Sequence, residues 1–377
     1  MLGTHSISFF CIVSNNFESL KIRKEKLTDC DIDYNFVIFT KYKFFAMFKK
    51  YNSIENTYRD EFLERIKTHG FWNDKYVVQE KVHGSNLSFS TVDGEHFVAS
   101  KRMGLVEKDE FFFNYEKVFQ NIEKKLKTIW NLVNNDFNDV KQLTIFGEIF
   151  GGYYPHPDVE FNKEAKMVQK GIYYSPNNEF YAFDILLNKE TYLDVYQTNK
   201  YFETAGLLYA KTIFEGSIEE CLSYPNDFNS IIPSMLNLPP LEHNIAEGVV
   251  IRPVKTSFFN SGIRVILKNK NEKWAENKKY YNHINTTDKP SEKVVKLQEA
   301  IQTYITENRL NNVLSKIGEV KKSDFGKVLG MFNKDIFDDF AKDYSEILNE
   351  LDKKEIKFIT KSIGKTAAKL VKGMVNG

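Results

Sequence analysis

The stretch YVVQEKVHGSN, residues 76–86, indicates how the centre of this chain folds. Its first four residues predict a strand, and Gly84 predicts a turn shortly after it. Lys81 lies at the junction with the glycine three residues on, so its amine can be presented to a phosphate brought close to the backbone. Lys-x-x-Gly is common by chance, and on this motif alone Lys81 could be an ordinary surface lysine beside a turn.

The composition excludes several classes of protein. With 377 residues the chain is long enough for about two or three domains. It has 52 Lys and Arg against 51 Asp and Glu, so any basic surface for nucleic acid must be local. The scattered Cys11, Cys30 and Cys221 suit neither a disulfide framework nor a zinc site, which favours a reducing compartment. No stretch reaches the roughly 18 apolar residues of a membrane span, so we expect no membrane partner and a cytoplasmic protein.

The sequence pattern divides the chain into four parts. Residues 1–46 lack a helical or strand period and precede a second methionine, so we interpret them as an N-terminal extension that translation from Met47 would leave out. Residues 47–284 mix helices with many short strands, and residues 285–290 form a polar linker ending in proline. Residues 291–377 repeat apolar side chains at helical spacing, which predicts a helical C-terminal domain.

Periodicity and turn signals predict the individual elements. Asp93-Gly94 predicts a hairpin between strands at 87–92 and 96–100. The remaining predicted elements are strands at 143–150, 180–187, 248–252 and 264–270, and helices at 56–67 and 115–133. Further along, we expect one helix to end at Gly318 and another to begin with Asn333 as its cap.

Three cations downstream of Lys81 lie where a bound phosphate would need them. A lysine amine must be neutral to attack, against a reference pKa of about 10.4, and burial or neighbouring cations favour that neutral form. Arg102 follows the hairpin, and its planar fork suits phosphate or ribose. Lys268 and Lys270 share one face of a predicted strand, where two ammonium groups repel each other unless an anion lies between or above them. A phosphate group would be such an anion.

Two carboxylates and an aromatic ring complete the set. Alternation places Glu148 on the strand face of Phe146 and Phe150, where burying a carboxylate is costly unless it has a role such as accepting from ribose hydroxyls. The alternative is an edge-strand glutamate in solvent. Phe183 could stack on a purine, although taken alone it reads as a core residue. Glu247 lies at the mouth of an apolar strand and could hold a divalent metal on a triphosphate.

This ordered set resembles the covalent nucleotidyltransferase superfamily of ATP-dependent ligases and mRNA capping enzymes. Its members match motifs I, Ia, III, IIIa, IV and V of that superfamily in order: Lys81, Arg102, Glu148, Phe183, Glu247 and Lys268 with Lys270. The His-Gly-x-Asn form of residues 83–86 is similar to the nick-sealing RNA ligases, of the phage RNA ligase 2 and RNA-editing ligase type. The resemblance runs from about Met47 to Asp339 and includes residues 112–113 and 308–318.

The resemblance implies a fold and a reaction. The fold would be α+β: an ATP-grasp-like nucleotidyltransferase domain of antiparallel sheets with flanking helices, followed by a small all-α domain. The enzyme would use ATP with Mg²⁺ or Mn²⁺, act as a monomer, and seal 3′-OH/5′-phosphate breaks in RNA, preferably nicks in a duplex. Lys81 would attack the α-phosphate of ATP, the AMP would pass to the RNA 5′-phosphate, and the 3′-OH would then displace AMP.

The resemblance also assigns roles to residues. Catalysis would fall to Lys81, Glu247, Lys268 and Lys270, with Glu247 serving the metal. The nucleotide would be bound by Glu80, Val82, Asn86, Arg102, Glu148, Phe183, Lys268 and Lys270. RNA binding and sealing would involve His83, Ser85, Phe112, Phe113, Arg309, Asp335 and Asp339. Two positions depart from the family pattern, Gln79 where a basic residue is frequent and Asp339 where Glu is usual, which leaves the RNA-handling steps less well defined.

Three other functions compete with this interpretation. A DNA ligase or a capping guanylyltransferase generally places a β-barrel after the last lysine pair, whereas the 107 residues after Lys270 read as helical. A catalytically silent RNA-binding protein on the same scaffold is the third, but a chemically competent residue fills every motif position.

Overall fold

The structure is a computed structural model that describes residues 47–107, 110–274 and 290–375. The predicted extension at 1–46 and residues 285–289 of the predicted linker lie outside the described residues. We refer to residues 47–274 as the sheet region and to residues 290–375 as the helical region. No helix among the described residues is both long and apolar enough to cross a membrane.

Five strands form the first sheet. They are β1 (Glu55–Asn56), β2 (Tyr76–Glu80), β9 (Thr212–Gly216), β10 (Gly248–Pro253) and β11 (Leu267–Lys270), in the order β1-β11-β10-β2-β9. Every pairing is antiparallel except that β1 runs parallel to β11. Helix α1 (Asp60–Thr68) buries Phe62 and Ile66 against one face of this sheet.

Six strands form the second sheet, which is antiparallel throughout. They are β3 (Ser85–Thr91), β4 (Val98–Lys101), β5 (Gly104–Leu105), β6 (Leu143–Tyr153), β7 (Ser175–Leu187) and β8 (Thr191–Tyr192), in the order β5-β4-β3-β6-β7-β8. Helix α2 (Tyr115–Asp136) packs an apolar stripe against the outer face, where the largest core of the sheet region lies. Shorter helices α3 (Val195–Thr204), α4 (Ile218–Leu222) and α5 (Ile232–Met235) connect the remaining strands.

The helical region has a core of its own. Its helices are α6 (Pro290–Gln302), α7 (Glu307–Ile317), α8 (Phe325–Asp343), α9 (Ser345–Asn349) and α10 (Lys353–Val375). Side chains such as Leu297, Phe332 and Ile359 pack together in its interior with almost no exposure. The α+β fold class, with antiparallel sheets followed by helices, is confirmed.

Several predicted boundaries are wrong for identifiable reasons. Asn56 does not begin the first helix, because it pairs with Lys268 in the sheet, and α1 starts only at Asp60. Asn333 is no cap, because it lies inside α8, which begins at Phe325. Gly318 does end α7 as predicted, with a φ of +94° that favours glycine.

Candidate active site

A cavity of about 480 Å³ opens where the two sheets and the helical region meet. Its size falls within the range of nucleotide and other small-ligand sites. The predicted site residues that line it are Glu80, Lys81, Val82, His83, Asn86, Arg102, Glu148, Phe183, Glu247, Lys268, Lys270, Arg309, Asp335 and Asp339. Segments more than two hundred residues apart in sequence therefore converge on one space.

Lys81 lies at the centre of the cavity wall and is 18% exposed. Strand β2 ends one residue before it, and its backbone N–H donates to the carbonyl of Gly248 at 2.9 Å, which anchors it to β10. Its Nζ contacts a carboxylate oxygen of Glu247 at 2.6 Å. Neighbouring cations would favour a neutral amine, and the structure instead pairs Lys81 with a carboxylate. Nucleophilic attack requires that ion pair to break, because a protonated amine has no free lone pair.

Glu247 is 1% exposed and holds two ammonium groups. Its second carboxylate oxygen contacts the Nζ of Lys270 at 2.8 Å, and the ring of His83 lies 3.7 Å from the first. Burial alone would raise the pKa of Glu247, but Lys270, Lys81 and His83 outweigh it and hold this pKa well below its usual range. These three neighbours therefore favour the carboxylate form of Glu247.

The position of Glu247 depends on the glycine that follows it. Gly248 has a φ of +142°, and a Cβ there would collide with the carbonyl oxygen of Asn269 on β11. The two strands can therefore approach closely at this point, with Gly248 opposite Lys270 and Val250 opposite Lys268. This register places both lysines on the cavity side, as the alternation predicted.

Glu148 lies on β6, two residues from both Phe146 and Phe150, and its side chain lines the cavity. Burial, reinforced by the charge of Glu247, raises its pKa from 4.5 to about 8, while Lys81 and Arg102 act in the opposite direction. No residue of the described chain forms a hydrogen bond to its carboxylate. A partly buried acid with free lone pairs at a cavity suits ribose hydroxyls or a cation better than a structural role.

Phe183 reaches the cavity through an irregularity in β7 that sequence reasoning missed. Phe146 pairs with Asp184, but the next residue, Gly147, pairs with Ala182, so Phe183 is an extra residue in the strand. This β-bulge places both Phe183 and Asp184 on the cavity side, which strict alternation would forbid. The Phe183 ring contacts that of Tyr51 edge to face, with centroids 5.0 Å apart.

The bulge also supplies a buried ionic network that the sequence did not reveal. Asp184 is fully buried and contacts Arg252 at 2.6 Å and Arg264 at 2.7 Å, and it accepts a hydrogen bond from Tyr51 at 2.5 Å. Burial opposes ionisation, yet the two guanidinium groups hold the pKa of Asp184 below its usual range. The network joins β7 of the second sheet to β10 of the first and so fixes the base of the cavity.

Two buried polar atoms at another part of the wall have no hydrogen-bond partner in the described chain. They are Oε1 of Glu80 and the hydroxyl of Tyr181. The other Glu80 oxygen accepts from the backbone N–H of Ile231 at 2.8 Å. Burial raises the pKa of Glu80 to about 7. An unsatisfied buried acceptor next to a cavity indicates a ligand with a matching donor, such as an exocyclic amine.

The acidic groups fit a divalent cation only together with a ligand. Among residues 47–107, 110–274 and 290–375, no cluster of three or more His, Cys, Asp or Glu side chains could hold a metal by itself. Glu148 has free oxygens, whereas both oxygens of Glu247 are engaged by lysines. Mg²⁺ typically binds through one or two carboxylates plus substrate phosphates and water, so this donor set suits a metal that arrives with a triphosphate.

The helical region contributes an arginine buried among acids. Arg309 is 1% exposed and contacts Asp335 at 3.0 Å and Asp339 at 2.8 Å. Asp339 also contacts Arg59, a residue that sequence reasoning missed, at 2.7 Å. In the sequence, Arg59 is distinguished only by its position just before a helix, and such a position does not indicate a chemical role. The three predicted residues therefore lie together, where the helical region meets the sheet region.

Three predicted RNA-binding residues lie elsewhere. Phe112 is 1% exposed, belongs to the core under α2 and does not line the cavity, so its role in RNA binding stays a prediction. Phe113 packs partly buried against the same core and is not part of the cavity wall. The Ser85 hydroxyl donates to the carbonyl of Ser315, so it joins the two regions and does not face the cavity. Ser85, Phe112 and Phe113 therefore stabilise the structure around the cavity without lining it.

Two family models match the chain. Residues 74–270, just over half of the sequence, match a family described as RNA ligase. Residues 287–369 match a family described as T4 RNA ligase 2 C-terminal. The first match spans every sheet-region motif residue from Lys81 to Lys270.

The chain is also similar to individual proteins. The chain is similar to mitochondrial RNA-editing ligase 2 of Trypanosoma brucei brucei, with 28% identity over 353 residues covering 79% of this chain and 84% of the relative. Mitochondrial RNA-editing ligase 1 of the same organism shows 26% identity, covering 76% and 74%. An apo mutant of the Naegleria gruberi RNA ligase superposes with a TM-score of 0.42 at 15% identity, over 60% of this chain and 57% of that one.

Proposed function

The chain belongs to the RNA ligase family, and we propose that it is an ATP-dependent enzyme that seals 3′-OH/5′-phosphate breaks in RNA, preferably nicks in a duplex. One observation carries this proposal. A partly exposed lysine, Lys81, lies in a cavity with a buried anion, Glu247, two further lysines on β11 and an unpartnered acid, Glu148. This is the set of charges that transfer of a nucleotidyl group to an amine requires.

The first step forms a lysyl-AMP intermediate. The Nζ of Lys81 attacks the α-phosphorus of ATP, a P–N bond forms, and the bond to the bridging oxygen breaks to release pyrophosphate. The ammonium first gives one proton to solvent, which frees the lone pair for attack, and a second proton leaves to solvent once the P–N bond has formed. The departing pyrophosphate carries the negative charge of the broken P–O bond. Lys268 and Lys270 line the same wall and would neutralise charge on the phosphates.

The cavity wall also accounts for a preference for adenine. Oε1 of Glu80 is an unsatisfied acceptor, which matches the exocyclic amine of adenine and opposes the carbonyl oxygen at the same position of guanine. The ring of Phe183 lies on the same wall, where it can stack on a purine. ATP is therefore favoured over GTP.

A divalent cation bound with the triphosphate would supply charge neutralisation and orient the phosphates for in-line attack. Glu148 is the residue best placed to hold it or the ribose, since it lines the cavity and, unlike Glu247, forms no ion pair with a lysine among the described residues. Glu247 would contribute as a fixed negative charge that positions Lys81 and Lys270.

In the second and third steps the AMP passes to the RNA 5′-phosphate, and the 3′-OH then attacks that phosphate and releases AMP. Residues of the helical region line the same cavity, among them Arg309, Asp335 and Asp339, and would meet the RNA there. Within residues 290–375 the chain is helical and contains no strand, whereas a DNA ligase or capping enzyme would place a β-barrel here. This favours the RNA ligase 2 type of activity over both alternatives.

The first test is covalent labelling. With a divalent cation, ATP labelled at the α-phosphate should mark the protein and labelled GTP should not, and Lys81→Ala should lose the mark. Lys141→Ala is the matched control, because Lys141 is exposed and pairs only with Asp139 in an exposed turn. Label that survives in Lys81→Ala would refute the assignment of the nucleophile.

The second test concerns the substrate. A nicked RNA duplex should be joined faster than two free single strands with the same ends, and faster than the matched DNA nick. Equal rates on nicked and single-stranded RNA would contradict the preference for duplex nicks. Equal rates on RNA and DNA nicks would contradict the assignment to RNA.

A further inference from the structure

We propose that Arg59 is a positioning residue that holds the helical region against the sheet region, and that joining of RNA depends on it while self-adenylylation does not. This inference rests on the function proposed above and deepens it. It assigns to the sealing steps a residue that lies outside the nucleotidyltransferase motifs and outside the cavity wall.

Arg59 contacts three carboxylates with its three guanidinium nitrogens. Nη2 donates to Asp339 at 2.7 Å, and Nη1 lies 2.7 Å from Asp343. Nε lies 2.7 Å from Glu55 in an orientation that makes an ion pair without a hydrogen bond. We call these four residues the Arg59 cluster. Glu55 and Arg59 belong to the sheet region, and both aspartates belong to α8 of the helical region, so the cluster spans the junction.

The Arg59 side chain is only 9% exposed, so these contacts are shielded from solvent and salt. Burial alone would lower its pKa, but Asp343, Glu55 and Asp339 outweigh burial and raise it. Removing the guanidinium would leave three acids facing one another across the junction. Asp343 would keep the Tyr304 hydroxyl at 2.5 Å, and Glu55 would keep the Asn56 backbone N–H at 3.0 Å and Lys342 at 3.9 Å. Their mutual repulsion would push α8 away from β1.

The cluster is connected to the cavity on the helical side. Asp339 is shared, because one oxygen accepts from Arg59 and the other from Arg309 at 2.8 Å. Arg309 in turn contacts Asp335, and all three helical-region residues line the cavity. Displacement of α8 would therefore move the groups that meet the RNA.

The cluster is also connected to the cavity on the sheet side. Glu55 lies on β1, which pairs in parallel with β11, and Asn56 is the register partner of Lys268. Strand β11, which carries Lys268, is also held by its antiparallel pairing with β10. The phosphate-binding lysines therefore stay in place without Arg59, and self-adenylylation should survive its loss.

The test separates the steps with two substrates. Self-adenylylation is measured with ATP alone, and joining is measured with a nicked RNA whose 5′-phosphate already carries AMP. We expect Arg59→Ala and Arg59→Lys to keep adenylylation within about twofold of wild type and to join roughly 10- to 100-fold more slowly, because small misplacements of reacting groups have effects of that size. Arg65→Lys is the matched control on α1, where the Arg65 side chain contacts Ser261 and the rings of Phe62 and Phe259 within the sheet region and makes no ion pair to the helical region among the described residues. It should join at the wild-type rate.

Joining by Arg59→Ala at the wild-type rate would overturn the proposal. A double-mutant cycle with Asp343→Asn adds a readout that general destabilisation would not move. If Arg59 acts through Asp343, the two substitutions together should slow joining little more than either alone. If the two substitutions together slow joining by the product of their separate effects, the proposed link between Arg59 and Asp343 is wrong. If Arg59→Ala fails to fold, shown by a missing cooperative melt, Arg59→Lys decides the matter.

Small-angle X-ray scattering distinguishes this proposal from the proposed function. Arg59→Ala should have a larger radius of gyration than wild type in the absence of ligands, whether or not either protein joins RNA. A wild type that joins no nicked RNA would refute the proposed function alone. Equal radii in the two proteins would refute the positioning role, even if joining were impaired.

Discussion

Replacing Glu148 by Gln should remove a fall in stability that wild type shows between about pH 5 and pH 8. The pKa of Glu148 is raised from 4.5 to about 8. Over this window the folded protein retains a proton that the unfolded chain has already lost. Stability from this group is therefore complete below the unfolded pKa and is lost as pH rises through the folded pKa.

The magnitude follows from the size of the shift. At about 1.4 kcal/mol per pH unit, a change from 4.5 to about 8 corresponds to about 5 kcal/mol as an upper limit. The carboxyl faces a cavity that solvent enters, which weakens the effect, so we expect about 2 kcal/mol. Glu148→Gln should be close to wild type in stability near pH 5 and more stable by about this amount near pH 8.

Urea denaturation across a pH series measures this directly. Glu80→Gln is the matched comparison, because burial raises the pKa of Glu80 only to about 7. The Glu80 variant should lose only the part of the slope between about pH 5 and pH 7 that belongs to Glu80, and it should keep the Glu148 part up to about pH 8. If Glu148→Gln and wild type lose the same free energy of unfolding between these pH values, the buried-acid interpretation of Glu148 is wrong.

Two further predictions concern the frame around the cavity. Asp184→Asn should lower the free energy of unfolding by about 3 kcal/mol or more, because it leaves two buried guanidinium groups without their shared anion. An unchanged urea midpoint would contradict this. Gly248→Ala should slow self-adenylylation about tenfold or more, because its Cβ would collide with Asn269 and displace the adjoining Glu247. Gly326→Ala, where a Cβ meets nothing within 4 Å, should have no such effect, and equal rates in the two variants would refute the argument.

Most of the cavity wall could be predicted from the sequence because its residues follow strands in recognisable local patterns. Lys81 directly follows β2, and Lys268 and Lys270 alternate on β11, so each motif fixes its own geometry locally. The hairpin at Asp93-Gly94 was predicted by the same means, and β3 and β4 confirm it. Local periodicity is sufficient wherever neighbours in sequence determine which face a side chain takes.

The remaining features depend on contacts between distant segments. Arg59 and Asp343 are 284 residues apart, and nothing near either predicts that they meet. Asp184 was predicted as part of a strand, but its two arginine partners come from other elements. The misplaced cap at Asn333 has the same origin, because packing of α8 against the helical core overrides a local capping preference.

The extra residue in β7 makes the nucleotide site dependent on a defect in its own sheet. Deleting one amino acid between Phe180 and Asp184 would restore an uninterrupted pleat and strengthen the pairing with β6. It would also turn one of two adjacent side chains away from the cavity side of the sheet. That side chain would be either the Phe183 ring, which can stack on the nucleotide base, or the Asp184 carboxylate. Insertions and deletions in this segment should therefore be selected against more strongly than substitutions, although a regular strand would be the more stable element.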